Sequence, residues 1–201
     1  MAQALLAGVR VVDLAHDPGA RAARILGDLG AEVVRIVPAA GDPLTGNVAR
    51  AWNAGKVCAR EEELDSYLAA AHVVFSTPGA RGVLAVDPGR APHAVWVSIT
   101  PFGLTGPRAH WRASDLGVMA SSGNMYCTGD PDRAPVRCSE PTAYAHSGPE
   151  AAFAAERRDD HGGISSAGGW VRRRSRSRTP PSVGRNRRAP RAAAGGARGL
   201  P

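Results

Sequence analysis

The stretch from Val9 to Val37 limits the fold more than any other part of the chain. Val9-Arg10-Val11-Val12 is a short β-branched run closed by Asp13, which reads as a buried strand. After a break at Asp17-Pro18-Gly19, the residues Ala22, Ile25 and Leu29 fall on one helical face. Gly30 then stands where a left-handed residue ends a helix. Glu32-Val33-Val34-Arg35-Ile36-Val37 is a second strand. Strand, helix and strand within about 30 residues form a βαβ unit. Its two strands are therefore expected to be parallel, joined by a right-handed crossover.

The pattern recurs downstream. Glu61 to Ala71 reads as a helix with Leu64 and Leu68 at i, i+4 spacing, and His72-Val73-Val74-Phe75 as a strand. Ala94 to Ile99 is another strand, ended by Pro101 and Gly103. Ser114 to Ser121 is expected to be helical, with Ser114 as N-cap and Asp115 in the first turn. A further helix is expected from Pro149 to Arg157, with proline at its favoured first position. Alternating strands and helices predict one α/β domain over residues 1–156, with a Rossmann-like, mostly parallel sheet and flanking helices.

After Glu156 this grammar stops. The large apolar side chains of residues 157–201 are Ile164, Trp170, Val171, Val183 and Leu200, among Gly, Pro, Ser and Arg. Such a composition cannot offset the entropy of ordering, so a disordered basic tail is expected. The same segment holds 12 arginines against Asp159 and Asp160, whereas residues 1–156 have a slight acidic excess. The chain's net charge of +7 thus belongs to the tail, and nothing in the body's charge points to nucleic acid. A nucleic-acid-binding arm centred on Arg172–Arg178 is a competing reading of the tail, but Trp170 is the one aromatic there for base stacking. Cys58, Cys127 and Cys138 are odd in number and include no CxxC pair, so neither a disulfide framework nor a metal site is expected. No run reaches the length of a membrane span and no signal peptide is evident, so the expectation is a soluble, cytoplasmic protein without a membrane partner.

The segment Ser98-Ile99-Thr100-Pro101-Phe102-Gly103-Leu104-Thr105-Gly106-Pro107 carries the first chemical hint. It is a strand feeding a loop with two glycines and two prolines, at the sheet edge where open α/β folds bind ligands. With Ser114-Asp115-Leu116, Ala120, Ser122-Gly123 and Thr128-Gly129, it resembles the FG-x-x-GP loop and following segment of class III CoA-transferases (CaiB/BaiF type). Other blocks resemble that family in the same order: Leu6–Leu14, Leu26–Val37 with Gly41-Asp42-Pro43, and Asn53-Ala54-Gly55-Lys56. The resemblance covers roughly residues 5–155, the N-terminal portion of the family.

The resemblance implies movement of CoA between an acyl-CoA thioester and a carboxylic acid, with CoA or acyl-CoA as partner and no permanently bound cofactor. Carried over by position, the CoA-binding candidates are Arg35, Lys56, the Thr77-Pro78-Gly79 turn and Thr100, with Phe102, Gly103, Gly106 and Pro107 shaping the loop. Cations and backbone N–H groups suit the phosphates of CoA, and Lys56 is the only lysine in the chain. The implied mechanism uses an aspartate nucleophile that attacks the thioester and forms a mixed anhydride. In this chain that position falls on Ala143 or Tyr144, so no catalytic residue is assigned. Glu140 and Glu150 are the nearest carboxylates in sequence, and His146 is at most a substitute base. The racemase branch of the superfamily uses a His-Asp pair, of which Asp115 is present while Ser114 replaces the histidine. Asp17-Pro18-Gly19-Ala20 and Val37 also depart from the family pattern on the CoA side.

Family members form interlocked homodimers and continue into a second domain that residues 157–201 do not resemble. The expectation is an incomplete, catalytically impaired family member with a frameshift-derived tail. A working subunit completed by a second polypeptide and a non-catalytic CoA-binding remnant are the two alternatives.

Overall fold

The computed structural model describes residues 4–156, 164–166 and 169–174. Five strands run parallel: β1 (Arg10–Leu14), β2 (Glu32–Val37), β3 (Val57–Arg60), β4 (Val73–Ser76) and β5 (Val95–Thr100). Their spatial order is β3-β2-β1-β4-β5. β1 pairs β2 on one side (Val11 with Val33) and β4 on the other (Val11 with Val73). The winding direction therefore reverses between β1 and β4, and a crevice opens beyond the C-terminal ends of those strands.

Side chains alternate across the sheet with period two, as pleating requires. Val11, Val73, Phe75, Val97 and Ile99 join one buried cluster with the alanines and Leu26 of helix α1 (Asp17–Asp28) and the alanines of helix α5 (Thr142–Glu156). Val12, Leu14, Val74 and Trp96 join a second cluster, on the opposite face, with Leu64 and Leu68 of helix α3 (Leu64–Ala70). Burial on both faces explains why these strands read as continuous β-branched runs. Gly30 ends α1 as expected, at φ 101°. A Cβ there would overlap Ala4 Cβ, so space as well as backbone angle demands glycine.

Some sequence expectations need correction. The last helix begins at Thr142, and Pro149 lies inside it. A proline in that place cannot donate to the Ala145 carbonyl one turn earlier. The Arg21 guanidinium supplies the missing donor at 3.2 Å, and the alanine-rich surroundings sustain the helix. Ser114 is the N-cap residue of helix α4 (Asp115–Ser121) and Asp115 opens its first turn, as expected, but the Ser114 side chain makes no cap bond. Helix α2 (Gly46–Asn53) and strand β3 were not foreseen. Within the segment expected to be disordered, β6 (Ile164–Ser166) and β7 (Gly169–Arg174) pair antiparallel, and β7 pairs antiparallel to β5. Without that partner β5 would expose a row of unpaired N–H and C=O groups, and a Trp-Val stretch is well suited to fill it. The remainder of the expected tail lies outside the described residues.

Candidate functional site

The crevice holds a cavity of about 430 Å³. The turn after β1 contributes His16 and Pro18, the turn after β4 contributes Thr77 to Arg81, and the end of β5 contributes Ile99 to Pro101. The segment before α4 (Ala109 to Ala113) and the first turns of α5 (Ala143, Tyr144, Ser147) close it. Four of the positions proposed from sequence, Thr77, Pro78, Gly79 and Thr100, therefore meet in one place, together with both residues of the expected nucleophile position.

Local chemistry holds this wall in shape. The His16 N–H donates to Thr77 Oγ1 at 2.7 Å, bridging the β1 and β4 turns. Gly79 turns the chain at φ 81°. At Gly19 a Cβ would come within 2.8 Å of both Ala15 Cβ and Ile99 Cδ1, so the start of α1 approaches β5 only because the side chain is missing. The Ser147 hydroxyl donates to the Pro18 carbonyl, which fixes α5 against the same turn.

Three features set the cavity's chemistry. Its floor is apolar, built from Ile99, Val118 and Ala143, while Arg81, His110 and Arg112 are exposed around its mouth. Thr100 is buried, and its hydroxyl finds no hydrogen-bond partner among the described residues. Among the described residues, none that lines the cavity is acidic. Tyr144 does not replace a carboxylate. Burial pushes its phenol up, and the charges of Asp115 and Asp17 push the same way, against an opposing backbone hydrogen bond at Asp115. The phenol stays protonated at neutral pH and is a hydrogen-bond donor rather than a nucleophile.

The carboxylates whose charges act on the Tyr144 phenol are Asp115 and Asp17. Asp115 Oδ1 accepts the Tyr144 N–H at 3.0 Å and so caps one of the unpaired N–H groups of the first turn of α5. His146 is exposed and outside the cavity lining.

Arg35 and Lys56 are placed elsewhere. Both side chains are 1% exposed and neither lines the cavity. Arg35 bonds Asp13, the Ala15 carbonyl and both oxygens of Asp42, at 2.8 Å for the closer contact with Asp42. Lys56 Nζ bonds Asp13 Oδ2 at 2.7 Å and the Ala20 carbonyl at 3.0 Å. Asn53 also donates to Asp42, at 3.0 Å. Burial pulls the Arg35 guanidinium down, but Asp13 and Asp42 outweigh it and its pKa ends above the ordinary arginine value. Burial likewise pushes Asp42 up, yet the hydrogen bond from Arg35, the Leu44 N–H, the Arg35 charge and Asn53 together hold it below the usual carboxylate range. With their donors committed to carboxylates and carbonyls inside the protein, these two cations are not set out for phosphate in this structure.

Gly103 and Gly106 reverse the β5 exit loop at φ 88° and 97°. Phe102 packs edge-to-face on Trp111, with ring centroids 5.9 Å apart, and Pro107 is exposed. The loop's Leu104 and Thr105 help line a second cavity of about 520 Å³, with Ser76, Trp96 and Ser98. That cavity is larger and shares Pro78 of the β4 turn, but the turn after β1 does not reach it, Asp87 lines it, and no arginine does among the described residues. Among the described residues no group of three or more His, Cys, Asp or Glu side chains could hold a metal, and no helix is long and apolar enough to cross a membrane.

Strand order and cavity together define a Rossmann-ordered α/β domain with a cavity at the switch point, where open α/β folds bind ligands. Sequence comparison narrows this: the profile of CoA-transferase family III matches residues 6–62 and 88–157, and the chain belongs to that family. It is 32% identical over 166 residues to succinyl-CoA:glutarate CoA-transferase of Mus musculus, covering 66% of this chain and 36% of that protein. It is 31% identical over 166 residues to succinyl-CoA:(R)-benzylsuccinate CoA-transferase subunit BbsE of Thauera aromatica, covering 67% and 40%. Among solved structures, a CAIB/BAIF family protein from Brucella suis superposes with a TM-score of 0.64 at 25% identity, over 77% of this chain and 49% of that one. The chain spans well under half the length of these two curated relatives.

Proposed function

We propose that the cavity binds coenzyme A or an acyl-CoA thioester, and that this chain holds the ligand without forming the covalent acyl intermediate of its family. The observation that carries the reading is the makeup of the cavity wall: two arginines at its mouth, an apolar floor with an unpartnered Thr100 hydroxyl, and no carboxylate among the described residues. Anionic phosphates suit the mouth, and the pantetheine and acyl portions suit the floor. Thr77, Pro78, Gly79 and Thr100 contact the ligand in this reading, and Tyr144 donates a hydrogen bond where the family resemblance calls for an aspartate.

A second reading, transfer of an acyl group through Asp115, is favoured by the position of its carboxylate 3.0 Å from the Tyr144 N–H. In that case the Asp115 carboxylate attacks the thioester carbonyl, forming a mixed anhydride and releasing CoA thiolate. The thiolate attacks the aspartyl carbonyl and expels the donor acid, and the acceptor carboxylate displaces the thiolate to form a second mixed anhydride. The thiolate then attacks the acceptor's acyl carbonyl, which releases the new thioester and frees the Asp115 carboxylate. Incubation with a panel of short-chain acyl-CoAs, followed by intact-mass measurement with and without hydroxylamine, separates the two. The proposal predicts measurable binding by calorimetry and no mass increase. A hydroxylamine-labile acyl adduct that disappears in Asp115→Asn establishes the second reading, and absence of any binding overturns both.

A further inference from the structure

Ala15 and His16 join β1 to α1, and this junction with the first turn of α1 (residues 15–19 together) gives the cavity His16 and Pro18. One ammonium group reaches both ends of this segment. Lys56 Nζ bonds Asp13 Oδ2 before it at 2.7 Å, and the Ala20 carbonyl after it at 3.0 Å. The Asp13 carboxylate in turn takes the Ala15 N–H on its other oxygen at 2.9 Å, and Arg35 bonds the Ala15 carbonyl. Lys56 comes from the turn between α2 and β3, two strands away from β1 in the sheet. Its side chain is 1% exposed, so its charge is not there for solvent or for a ligand. Arg35 differs, because it ties Asp13 and Ala15 to Asp42 and touches only the first end of the segment.

We infer that Lys56 is a positioning residue for the cavity: by fastening Asp13 to Ala20 it fixes the junction of β1 with the first turn of α1, and through it His16 and Pro18, without touching the ligand. A buried ion pair is at best a weak source of stability, whereas charge-assisted bonds made at both ends of a short segment specify one geometry. The His16 N–H to Thr77 bond then carries that geometry across the crevice to the β4 turn.

The inference rests on the proposed function only where ligand affinity is read. Its test compares hydrogen exchange and CoA affinity in Lys56→Met and in the double variant Asp13→Asn with Lys56→Met, which removes the buried carboxylate charge as well. Leu68→Ala serves as a control that thins the core on the opposite face of the sheet. In the ligand-free protein both Lys56 variants should speed exchange across residues 15–20 by at least about tenfold, the scale of losing one charge-assisted hydrogen bond, and leave β4 unchanged. CoA affinity should weaken by at least about tenfold in both. Leu68→Ala should lower the melting temperature while leaving exchange at 15–20 and CoA affinity as in the wild type. If Lys56→Met does not fold, the double variant decides. Wild-type exchange at residues 15–20 in the double variant overturns the inference, as does equal loosening there in Leu68→Ala. If wild-type protein shows no CoA affinity the proposed function fails, and the exchange measurement still decides the role of Lys56.

Discussion

Replacing Arg35 by methionine should be among the most damaging single changes in the body of the domain. The side chain is 1% exposed and serves two carboxylates and a carbonyl. Methionine fills much of the same volume but leaves Asp13 with Lys56 and the Ala15 N–H, and Asp42 with Asn53 and the Leu44 N–H. The Ala15 carbonyl loses the guanidinium donor altogether. Breaking a buried pair by removing one partner costs about 3–5 kcal/mol. For a domain of this size each kcal/mol moves the melting temperature by about 2–4 °C, so a fall of about 6–20 °C is expected. Thermal unfolding followed by circular dichroism measures it. The control is Arg133→Met, whose partner Asp130 is largely exposed and whose loss should leave the midpoint where it is. A fall of less than about 2 °C for Arg35→Met, or one equal to the control's, refutes the view that this network is a buried structural unit.

Other outcomes follow from the same geometry. Asp42 is held below its ordinary pKa, so its contribution to stability is present above the unfolded value near 4 and is lost as pH falls through the folded one; urea midpoints should drop on acidification below about pH 4, and less steeply in Asp42→Asn. The raised Arg35 contributes throughout this range and loses its charge only in strong alkali. Thr100→Val removes a buried hydroxyl with no partner, so the ligand-free protein should melt at the same temperature or higher while CoA affinity weakens; a lowered melting temperature with unchanged affinity contradicts the role given to Thr100. Gly19→Val drives a branched side chain into Ala15, Ile99 and Thr77, and should cost about 1–3 kcal/mol in urea unfolding. The proposed frameshift origin of residues after Glu156 is tested on the coding DNA: one of the other two frames should encode a CoA-transferase-like continuation, and its absence from both rejects the idea.

The βαβ unit is legible because β1 and β2 are buried on both faces and because Gly30 must be glycine for conformation and space alike. α2 and β3 are not, since α2 buries no residue and β3 is a four-residue strand with only Ala59 inside. Runs of 8 and 4 residues are too short for periodicity to tell them from a loop. Pro149 misleads because its cost is met by Arg21, 128 positions earlier in the chain, which no local pattern reveals. The cavity turns at Thr77–Gly79 and Thr100 are legible as strand exits. The fate of Arg35 was also readable in principle: a lone arginine between Val34 and Ile36 in a central parallel strand has to be paired inside, and Asp13 and Asp42 are the acids that neighbour strand ends and turns can deliver. Asp115 near Tyr144 was beyond reach, because a contact between two helix first turns depends on tertiary packing.

Whether the turns beyond β1, β4 and β5 receive the nucleotide thioester is answered most directly by mapping amide exchange with and without saturating CoA. Slowed exchange at Thr77, Gly79, Thr100 and Tyr144, with α3 and β3 unchanged, is the predicted pattern. Protection confined to Ser76, Ser98, Leu104 and Thr105, around the cavity on the other face, or no protection at any of these sites, contradicts it.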